Sequence, residues 1–248
     1  MKIRADQLLV AQGLAESRTR AQALILAGKV FAADRRVAKA GDLLADDAPL
    51  TVKGRDHPWV SRGGIKLDHG LTHFGFDVSG AIALDVGSST GGFTDVLLNR
   101  GAAKVYAVDV GTNQLAWKLR QDDRVIVHEQ TNAKTLTRTL IPGPIDIVVC
   151  DASFIGLAKV LGPALKLARS GAHLLALVKP QFEAGRGEVG KGGVVRDPLI
   201  HQRVCDEAAS WVGSQGWGVD GVIQSPITGP EGNVEFLLGA TKGDDNGQ

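Results

Sequence analysis

The chain has 248 residues, of which 44% are hydrophobic and 22% are charged, a composition that is ordinary for a soluble globular protein. No apolar run approaches the roughly 18 residues of a membrane span, and the polar N-terminus does not read as a secretion signal. Two cysteines, Cys150 and Cys205, are too few for a disulfide framework, so we expect a cytoplasmic protein that does not enter membranes.

The charge is unevenly distributed along the chain, although the net charge is only +1. Residues 1–62 hold 11 Lys and Arg against 7 Asp and Glu, whereas residues 63–248 hold 17 against 20. The basic segment is therefore a candidate for binding a polyanion.

A small α+β domain is predicted for residues 1–56. Apolar residues at helical spacing predict a first helix within residues 2–12 and a second helix that Ser17 caps. Short strands are predicted around residues 29–32 and 49–53. About 55 residues are enough for a marginal core of their own.

This order of elements, with the sequence RADQLLVAQGLAESRTRAQALILAGKVFAADRRV, resembles the α-L RNA-binding motif domain of a ribosomal small-subunit protein, pseudouridine synthases and a tyrosyl-tRNA synthetase. The resemblance implies that the second helix and the basic residues around it contact RNA phosphates, which position a protein without reading sequence. The RNA-binding residues so implied are Arg4, Arg18, Arg20 and Lys29. A small dimerisation module is the alternative.

The rest of the chain alternates between predicted strands and helices. Residues 57–63 are predicted to be a linker, residues 64–242 a second domain that opens with a helix at 65–74, and residues 243–248 a disordered tail. The predicted strands are 81–86, 104–109, 124–128, 145–150, 173–179 and a closing hairpin near 219–224 and 235–241, with helices at 91–99, 113–121, 156–169 and 197–215. Such alternation predicts a Rossmann-like α/β fold, with a mostly parallel sheet of about seven strands and helices on both faces.

The stretch ALDVGSSTGGFTDVLL, residues 83–98, reads as strand, glycine turn and helix, and three chemistries could use it. The dinucleotide motif G-x-G-x-x-G is not met, because position 89 is not glycine. The hydrolase motif G-x-S-x-G is met by residues 87–91, with His173 or His201 as the triad histidine. The third option is the glycine-rich loop of methyltransferases that use S-adenosylmethionine.

The next strand favours a nucleoside ligand. Asp109 ends the stretch KVYAVDV, where an acid is placed to accept hydrogen bonds from both hydroxyls of a ribose. An adenine pocket is then expected near Asn132 and Ala133. The predicted cofactor-binding residues are Asp85, Gly87, Ser89, Thr90, Gly91, Gly92, Phe93, Asp109, Val110, Asn132, Ala133 and Asp151.

A second glycine-rich stretch, GRGEVGKG at residues 185–192, resembles a Walker A loop. Gly192 stands where that loop needs the Ser or Thr hydroxyl for Mg²⁺, and no helix clearly begins there. We interpret it as a mobile substrate loop.

Four ionisable residues from separate segments are predicted to meet at the carboxyl rim of the sheet: Lys66, Asp151, Lys179 and Glu235. The apolar run in HLLALVKPQFE reads as a buried strand, and Pro180 cannot donate to a sheet ladder, so the strand should end at Lys179. Open α/β sheets bind their ligands at this end. Taken alone, a lysine at a strand end could equally point into water.

The order Lys-Asp-Lys-Glu and the TGGF glycine pair resemble the RrmJ/FtsJ-type ribose 2′-O-methyltransferases. The segments SRGGIKL, LDVGSSTGGFTDVLLNRGA, VVCDASFI, LVKPQFEAGRGEVGKGGVVRDP and SPITGPEGNVEF further resemble the TlyA family of ribosomal RNA 2′-O-methyltransferases, also labelled hemolysin A. This resemblance implies a class I methyltransferase sheet, S-adenosylmethionine as cofactor, no required metal, and methylation of a cytidine 2′-hydroxyl in large-subunit and in some members small-subunit RNA. Ribosomal RNA or ribosomal subunits are the implied partners. One departure is Thr112-Asn113, where relatives more often have Gly-Tyr-Gly before Gln114, and this should alter only a loop.

A ribose hydroxyl is a very weak acid, so its attack on a sulfonium methyl needs a base. We hypothesise that Lys179 takes the proton, because a neighbouring ammonium from Lys66 and partial desolvation favour a neutral amine. Asp151 would hold Lys179, and Glu235 would orient Lys66 or the ribose. Such proton transfer contributes roughly 10²–10⁴-fold to a rate.

Phe154, close after Asp151, is predicted to stack on an RNA base, with a core aromatic as the alternative. Arg62 and Arg186 are candidate phosphate contacts. A noncatalytic ribosome-assembly factor is the second hypothesis for function, followed by a membrane-active hemolysin and a hydrolase acting through Ser89.

Overall fold

The computed structural model describes residues 2–53, 57–185 and 187–243. The predicted domain boundary at residue 56 and the predicted tail beyond residue 243 fall outside the described residues. The sheets divide into a small N-terminal group and a seven-stranded sheet that begins after residue 80.

The small N-terminal core is built from short elements. The first two helices pack their apolar faces on Val30 and Leu50. Ser17 caps the second helix as predicted, because its Oγ accepts a hydrogen bond from the backbone N–H of Arg20 at 3.2 Å. The elements are β1 (Lys2–Arg4), α1 (Ala5–Ala11), α2 (Arg18–Leu26), β2 (Val30–Ala32), β3 (Arg35–Arg36), β4 (Leu43–Ala45) and β5 (Leu50–Val52).

The first helix lies within its predicted limits, but an unpredicted strand precedes it. Residues 2–4 form β1, in which Ile3 lies opposite Leu44 of β4 in an antiparallel pair. Three residues are too few to show the alternation of a strand in the sequence. The strand forms because it can make backbone hydrogen bonds to β4, a partner far along the chain.

The remaining elements surround one large sheet. They are α3 (Gly63–Phe74), β6 (Ile82–Val86), α4 (Gly92–Asn99), β7 (Lys104–Val108), α5 (Trp117–Arg120), β8 (Val125–His128), β9 (Ile145–Cys150), α6 (Leu157–Val160), α7 (Gly162–Leu167), β10 (Ala168–Val178), α8 (Pro180–Glu183), α9 (Pro198–Ser214), β11 (Trp217–Gln224) and β12 (Phe236–Lys242). The strand order is β11-β12-β10-β9-β6-β7-β8; β12 is antiparallel to both of its neighbours, β10 and β11, and the other pairs are parallel. The mostly parallel seven-stranded sheet predicted from the sequence is confirmed.

Alternate residues of the central strands enter two separate cores, because side chains of a strand point to opposite faces in turn. Leu84 and Val148 face the core that α6, α7 and α9 cover. Ala83 and Ile147 face the core that α3, α4 and α5 cover. Burial on both faces explains why these strands read as continuous apolar runs.

Two predicted helices are shorter or broken in the structure. The helix predicted at 113–121 is reduced to α5, because the Glu129 carboxylate accepts hydrogen bonds from the backbone N–H groups of Asn113 and Gln114 at 2.8 and 3.0 Å. The helix predicted at 156–169 is split into α6 and α7, and β10 begins at Ala168 with an irregular register before His173.

The carboxyl ends of β6, β7, β9 and β10 lie side by side in the middle of the sheet. The loops that follow these strands carry Gly87, Asp109, Asp151 and Lys179. Strand β10 ends before Lys179, and Pro180 starts the short helix α8. The proline that ends the ladder therefore also turns the chain away from the sheet.

Candidate active site

The loop after β6 brings its backbone close to the loop after β9. Gly87 and Gly91 have φ angles of 82° and 92°, and Ser89 has a φ of 46°, so the turn uses left-handed backbone three times. A Cβ on Gly87 would lie 3.0 Å from the backbone of Ala152. Glycine is required at this position, because both its φ and its contact exclude a side chain.

Asp109 lies at the mouth of a cavity of about 560 Å³ above β6, β7 and β9. Its carboxylate accepts hydrogen bonds from the backbone N–H groups of Ser89 and Gly111 at 2.8 and 2.7 Å. We name this the donor cavity. The predicted cofactor-binding residues that line it are Gly87, Ser89, Asp109, Val110, Asn132, Ala133 and Asp151.

Asp85 lies beneath the glycine loop, completely buried at the end of β6. Its Oδ2 accepts a hydrogen bond from the Thr94 hydroxyl at 2.7 Å, whereas its Oδ1 has no hydrogen-bond partner among the described residues. Burial raises the pKa of Asp85 to about 7, the Thr94 hydrogen bond opposes this, and the charges of Asp151 and Asp109 add to it.

A second cavity of about 340 Å³ adjoins the donor cavity, and we name it the charged cavity. Lys66 reaches it from α3, Asp151 from the end of β9, Lys179 from the end of β10 and Glu235 from just before β12. The structure thus brings together the four ionisable residues that the sequence singled out. Thr90, Gly92 and Phe93 also line this cavity, while Asp85 and Gly91 line neither one.

The four charged groups form two ion pairs. Lys66 Nζ contacts the Glu235 carboxylate, which is completely buried, and Gln181 Nε2 donates to the other oxygen of Glu235 at 3.3 Å. Lys179 Nζ lies 2.7 Å from Asp151 Oδ1. Each buried ammonium therefore has its own carboxylate, which avoids the high cost of an unpaired buried charge.

Lys179 has two further acceptors besides the Asp151 carboxylate. Its Nζ donates to the backbone oxygen of Asp151 at 3.2 Å and to Ser153 Oγ at 2.8 Å. Its side chain is only 8% exposed. The alternative of a lysine that points into water is therefore wrong.

Phe154 is an exposed aromatic side chain at the edge of the donor cavity. It is 89% exposed, its φ is 65°, and its ring centroid lies 5.1 Å from that of Phe182. The alternative of a core aromatic is wrong.

The basic residues predicted to bind RNA fall into two groups. Arg4 and Arg18 both bind the buried carboxylate of Asp6, at 3.0 and 3.3 Å, so they also hold the small core together. The others, Arg20, Lys29 and Arg62, line one cavity of about 410 Å³ between the N-terminal elements and α3. Arg186 lies outside the described residues.

The described residues contain no catalytic triad around Ser89, which the hydrolase hypothesis requires. His173 pairs in register with Ile147, which pairs with Ala83 at the start of β6, whereas Ser89 follows the other end of that strand. His201 Nε2 contacts the backbone oxygen of Val195 at 2.9 Å. Neither histidine is placed to activate Ser89.

The Walker-like stretch is not followed by a helix in the described residues until Pro198. Asn233 holds its end, because the side chain accepts from the N–H of Val195 at 3.2 Å and donates to the oxygen of Gly193 at 3.0 Å. In the described residues the stretch therefore lacks the helix that directly follows a phosphate loop of that type.

Sequence reasoning missed two polar residues beside the charged groups, Ser153 and Gln181. Both stand three residues after a strand end, in DAS and KPQ, and that position at a carboxyl rim is the signal that could have found them.

Comparison with known proteins identifies the two parts of the chain. Residues 59–242 match the FtsJ-like methyltransferase family, and residues 3–47 match the S4 domain. The chain is 49% identical to the 16S/23S rRNA (cytidine-2′-O)-methyltransferase TlyA of Mycobacterium tuberculosis, over 96% of this chain and 89% of that protein. It is 40% identical to hemolysin A of Brachyspira hyodysenteriae, over 95% and 98% of the two chains.

A solved structure resembles nearly the whole chain. The structure of a Streptococcus thermophilus protein described as a hemolysin superposes with a TM-score of 0.78 at 43% identity, covering 99% of this chain and 91% of that one. Within the described residues, no helix has both the length and the apolar character needed to cross a membrane. The chain belongs to the FtsJ-like methyltransferases and, among them, to the TlyA family, with an S4 domain preceding the methyltransferase sheet.

Proposed function

We propose that this protein transfers a methyl group from S-adenosylmethionine to the 2′-hydroxyl of a cytidine in ribosomal RNA. The observation that carries the proposal is the meeting of two cavities at Gly87, Ser89, Asp151 and Ser153, with the donor cavity on one side and the four charged groups on the other. A methyl donor in the first cavity and a ribose in the second would meet at this shared wall.

The residues of the donor cavity fit a sulfonium nucleoside. The Asp109 carboxylate is exposed enough to accept hydroxyl hydrogen bonds from a ribose, and Val110 and Ile155 offer apolar surface for an adenine. Gly87 lets the backbone approach closely, and Asp151 places a carboxylate near a positive sulfur. When bound, S-adenosylmethionine supplies a methyl group that an oxygen nucleophile can take.

Lys179 is the proposed base. Its amine is buried against Asp151, which fixes the direction of Nζ without supplying a proton. The proton leaves the 2′-oxygen for Lys179 while that oxygen forms the new bond to carbon. Afterwards the ammonium returns the proton to solvent.

Lys66 and Glu235 have a different proposed task. Their mutual ion pair, supported by Gln181, holds an ammonium at the wall of the charged cavity. That ammonium is placed to stabilise negative charge on the 2′-oxygen, since preformed charges in a desolvated site cost no reorganisation during the reaction.

The RNA side of the proposal comes from the S4 domain match and from the relatives. The M. tuberculosis relative is named for cytidine 2′-O-methylation of 16S and 23S RNA. In this chain, Arg20, Lys29 and Arg62 share one cavity next to the charged one, where a phosphate backbone would be neutralised. Phe154 offers an exposed ring for stacking a base.

The test uses methyl-labelled S-adenosylmethionine with ribosomal subunits and with RNA extracted from cells that lack the protein. The product is digested to nucleosides, and 2′-O-methylcytidine is identified by mass spectrometry. We expect the Lys179→Ala variant to lose transfer by at least about 100-fold while still binding the cofactor. Lys166→Ala, which removes an exposed lysine on α7, is the matched control.

Three results would contradict the proposal. Wild-type protein that binds RNA but transfers no methyl group would indicate a noncatalytic assembly factor. Label on a base atom would refute the ribose assignment. Leakage of dye from liposomes without any transfer would favour the membrane-active reading.

A further inference from the structure

We propose that Ser153 is a further catalytic residue, which relays the proton from the ribose 2′-hydroxyl to Lys179. The inference rests on the proposed function and adds a second proton transfer to it. Ser153 lines both the charged cavity and the donor cavity, and its Oγ lies 2.8 Å from Lys179 Nζ.

The contacts of Lys179 show why a relay is needed. An ammonium has three N–H donors, and three oxygens surround Lys179 Nζ: it donates to the Asp151 backbone oxygen at 3.2 Å and to Ser153 Oγ at 2.8 Å, and it lies 2.7 Å from Asp151 Oδ1 in an ion pair. A lysine engaged in this way presents no lone pair to a substrate. Some acceptor must change its role before the amine can act as a base.

Only one of the three acceptors can do so. The backbone oxygen of Asp151 never donates, and its ionised carboxylate accepts only. A serine hydroxyl both donates and accepts. When Lys179 is neutral, its two N–H groups can stay on Asp151, and its lone pair then faces the Ser153 hydroxyl.

The position of Ser153 suits a relay between substrate and base. It follows Asp151 by two residues, in a loop that the close approach of Ala152 to Gly87 ties to the glycine turn. The residue is exposed, whereas the Lys179 side chain is almost completely buried. A ribose that enters the charged cavity therefore meets the hydroxyl more readily than the amine behind it.

Two protons and one methyl group move in the proposed step. The 2′-oxygen gives its proton to Ser153 Oγ as the Ser153 hydroxyl proton moves to Lys179 Nζ, so serine is regenerated and a neutral amine becomes an ammonium. The electron pair left on the 2′-oxygen forms the bond to the methyl carbon. The carbon–sulfur bond breaks at the same time, and its electron pair turns the sulfonium into a thioether.

The experiment measures single-turnover methyl transfer to ribosomal RNA with enzyme in excess, in mixtures of light and heavy water. For the wild-type protein we expect a curved dependence of rate on the deuterium fraction, because two protons move together. Ser153→Ala should lower the rate by about 100-fold and leave the affinity for S-adenosylmethionine unchanged. Ser153→Thr, which keeps a hydroxyl, should restore most of the rate.

The control is Ser214→Ala, which removes a hydroxyl bonded to the Trp211 carbonyl at the end of α9, outside both cavities. A straight-line isotope dependence in the wild-type protein would overturn the relay, and this result needs no variant to fold. Wild-type-like turnover by Ser153→Ala would overturn it too. Absence of transfer by the wild-type protein would instead refute the proposed function itself.

Discussion

Replacing Asp85 with asparagine should change how the stability of this protein depends on pH. Asp85 is the fully buried carboxyl at the end of β6, with one oxygen bonded to Thr94 and the other without a partner among the described residues. Desolvation is the main cause that raises its pKa to about 7, against an ordinary value of 3.8. The folded state therefore prefers the protonated carboxyl.

The direction of the pH dependence of stability follows from the number of protons that the folded and the unfolded protein bind. Between the ordinary pKa of 3.8 and about 7, folded protein holds the Asp85 proton and unfolded protein releases it. The free energy of unfolding then falls as pH rises, so the contribution is full below about pH 4 and gone above about pH 7. The rise of about three units in the pKa of Asp85 corresponds to a change of roughly 4 kcal/mol in the free energy of unfolding between the two pH limits.

The measurement is urea unfolding of the wild-type protein and Asp85→Asn at pH 5 and pH 8. Asparagine carries no charge, and its side-chain oxygen can still accept from Thr94. We expect the free energy of unfolding of the variant, taken relative to that of the wild-type protein, to be about 2–3 kcal/mol higher at pH 8 than at pH 5.

Asp123→Asn, which changes an exposed aspartate in the loop between α5 and β8, is the control. It should show no such gain. If Asp85→Asn and the wild-type protein kept the same difference in stability at both pH values, the buried carboxyl would not be the source of the pH dependence.

Two further substitutions test the walls of the charged cavity. Gly92→Ala places a Cβ 2.2 Å from Ser61 Oγ and 3.1 Å from the backbone nitrogen of Gly64, and this overpacking should lower the free energy of unfolding in urea by about 1–3 kcal/mol. Gly213→Ala, where a Cβ meets nothing within 4 Å, should cause no such loss, and equal stabilities of the two variants would contradict the close packing. Glu235→Gln leaves the Lys66 ammonium buried without its carboxylate and should cost about 3 kcal/mol in urea unfolding, much of it regained when Lys66→Met is added. A loss that the second change does not relieve would argue against the pair.

The large sheet was predictable because its signals are local. Strands buried on both faces read as short apolar runs, and β6, β7, β8 and β9 lie within one residue of their predicted limits. The loss of most of the helix predicted at 113–121 could not be foreseen, since it depends on the carboxylate of Glu129, which follows β8, reaching backbone N–H groups. Strand β1 was missed for the same kind of reason, because its partner β4 lies far along the chain.

The candidate site was predictable as a set of residues and, in part, in its pairing, because Asp151 was expected to hold Lys179 and Glu235 to orient Lys66 or the ribose, and the structure contains both ion pairs. Strand ends and motif resemblance placed Lys66, Asp151, Lys179 and Glu235 together at one rim. The contacts of Ser153 with Lys179 and of Gln181 with Glu235 depend on side-chain directions that no sequence pattern encodes. Ser153 was overlooked because a serine in a loop carries no charge to draw attention to it.

The two ion pairs differ in a way that assigns their roles. Glu235 is completely buried and shares its carboxylate between Lys66 and Gln181, so this pair is held rigidly from inside the protein. The Asp151 side chain is 25% exposed and lies on the wall that both cavities share. A proton must be able to leave the site after each turnover, and Asp151 and the exposed Ser153 give the Lys179 pair oxygen atoms that reach solvent, whereas the Glu235 carboxylate is closed to it. The enclosed pair therefore suits a fixed electrostatic role, and the more open pair suits proton transfer.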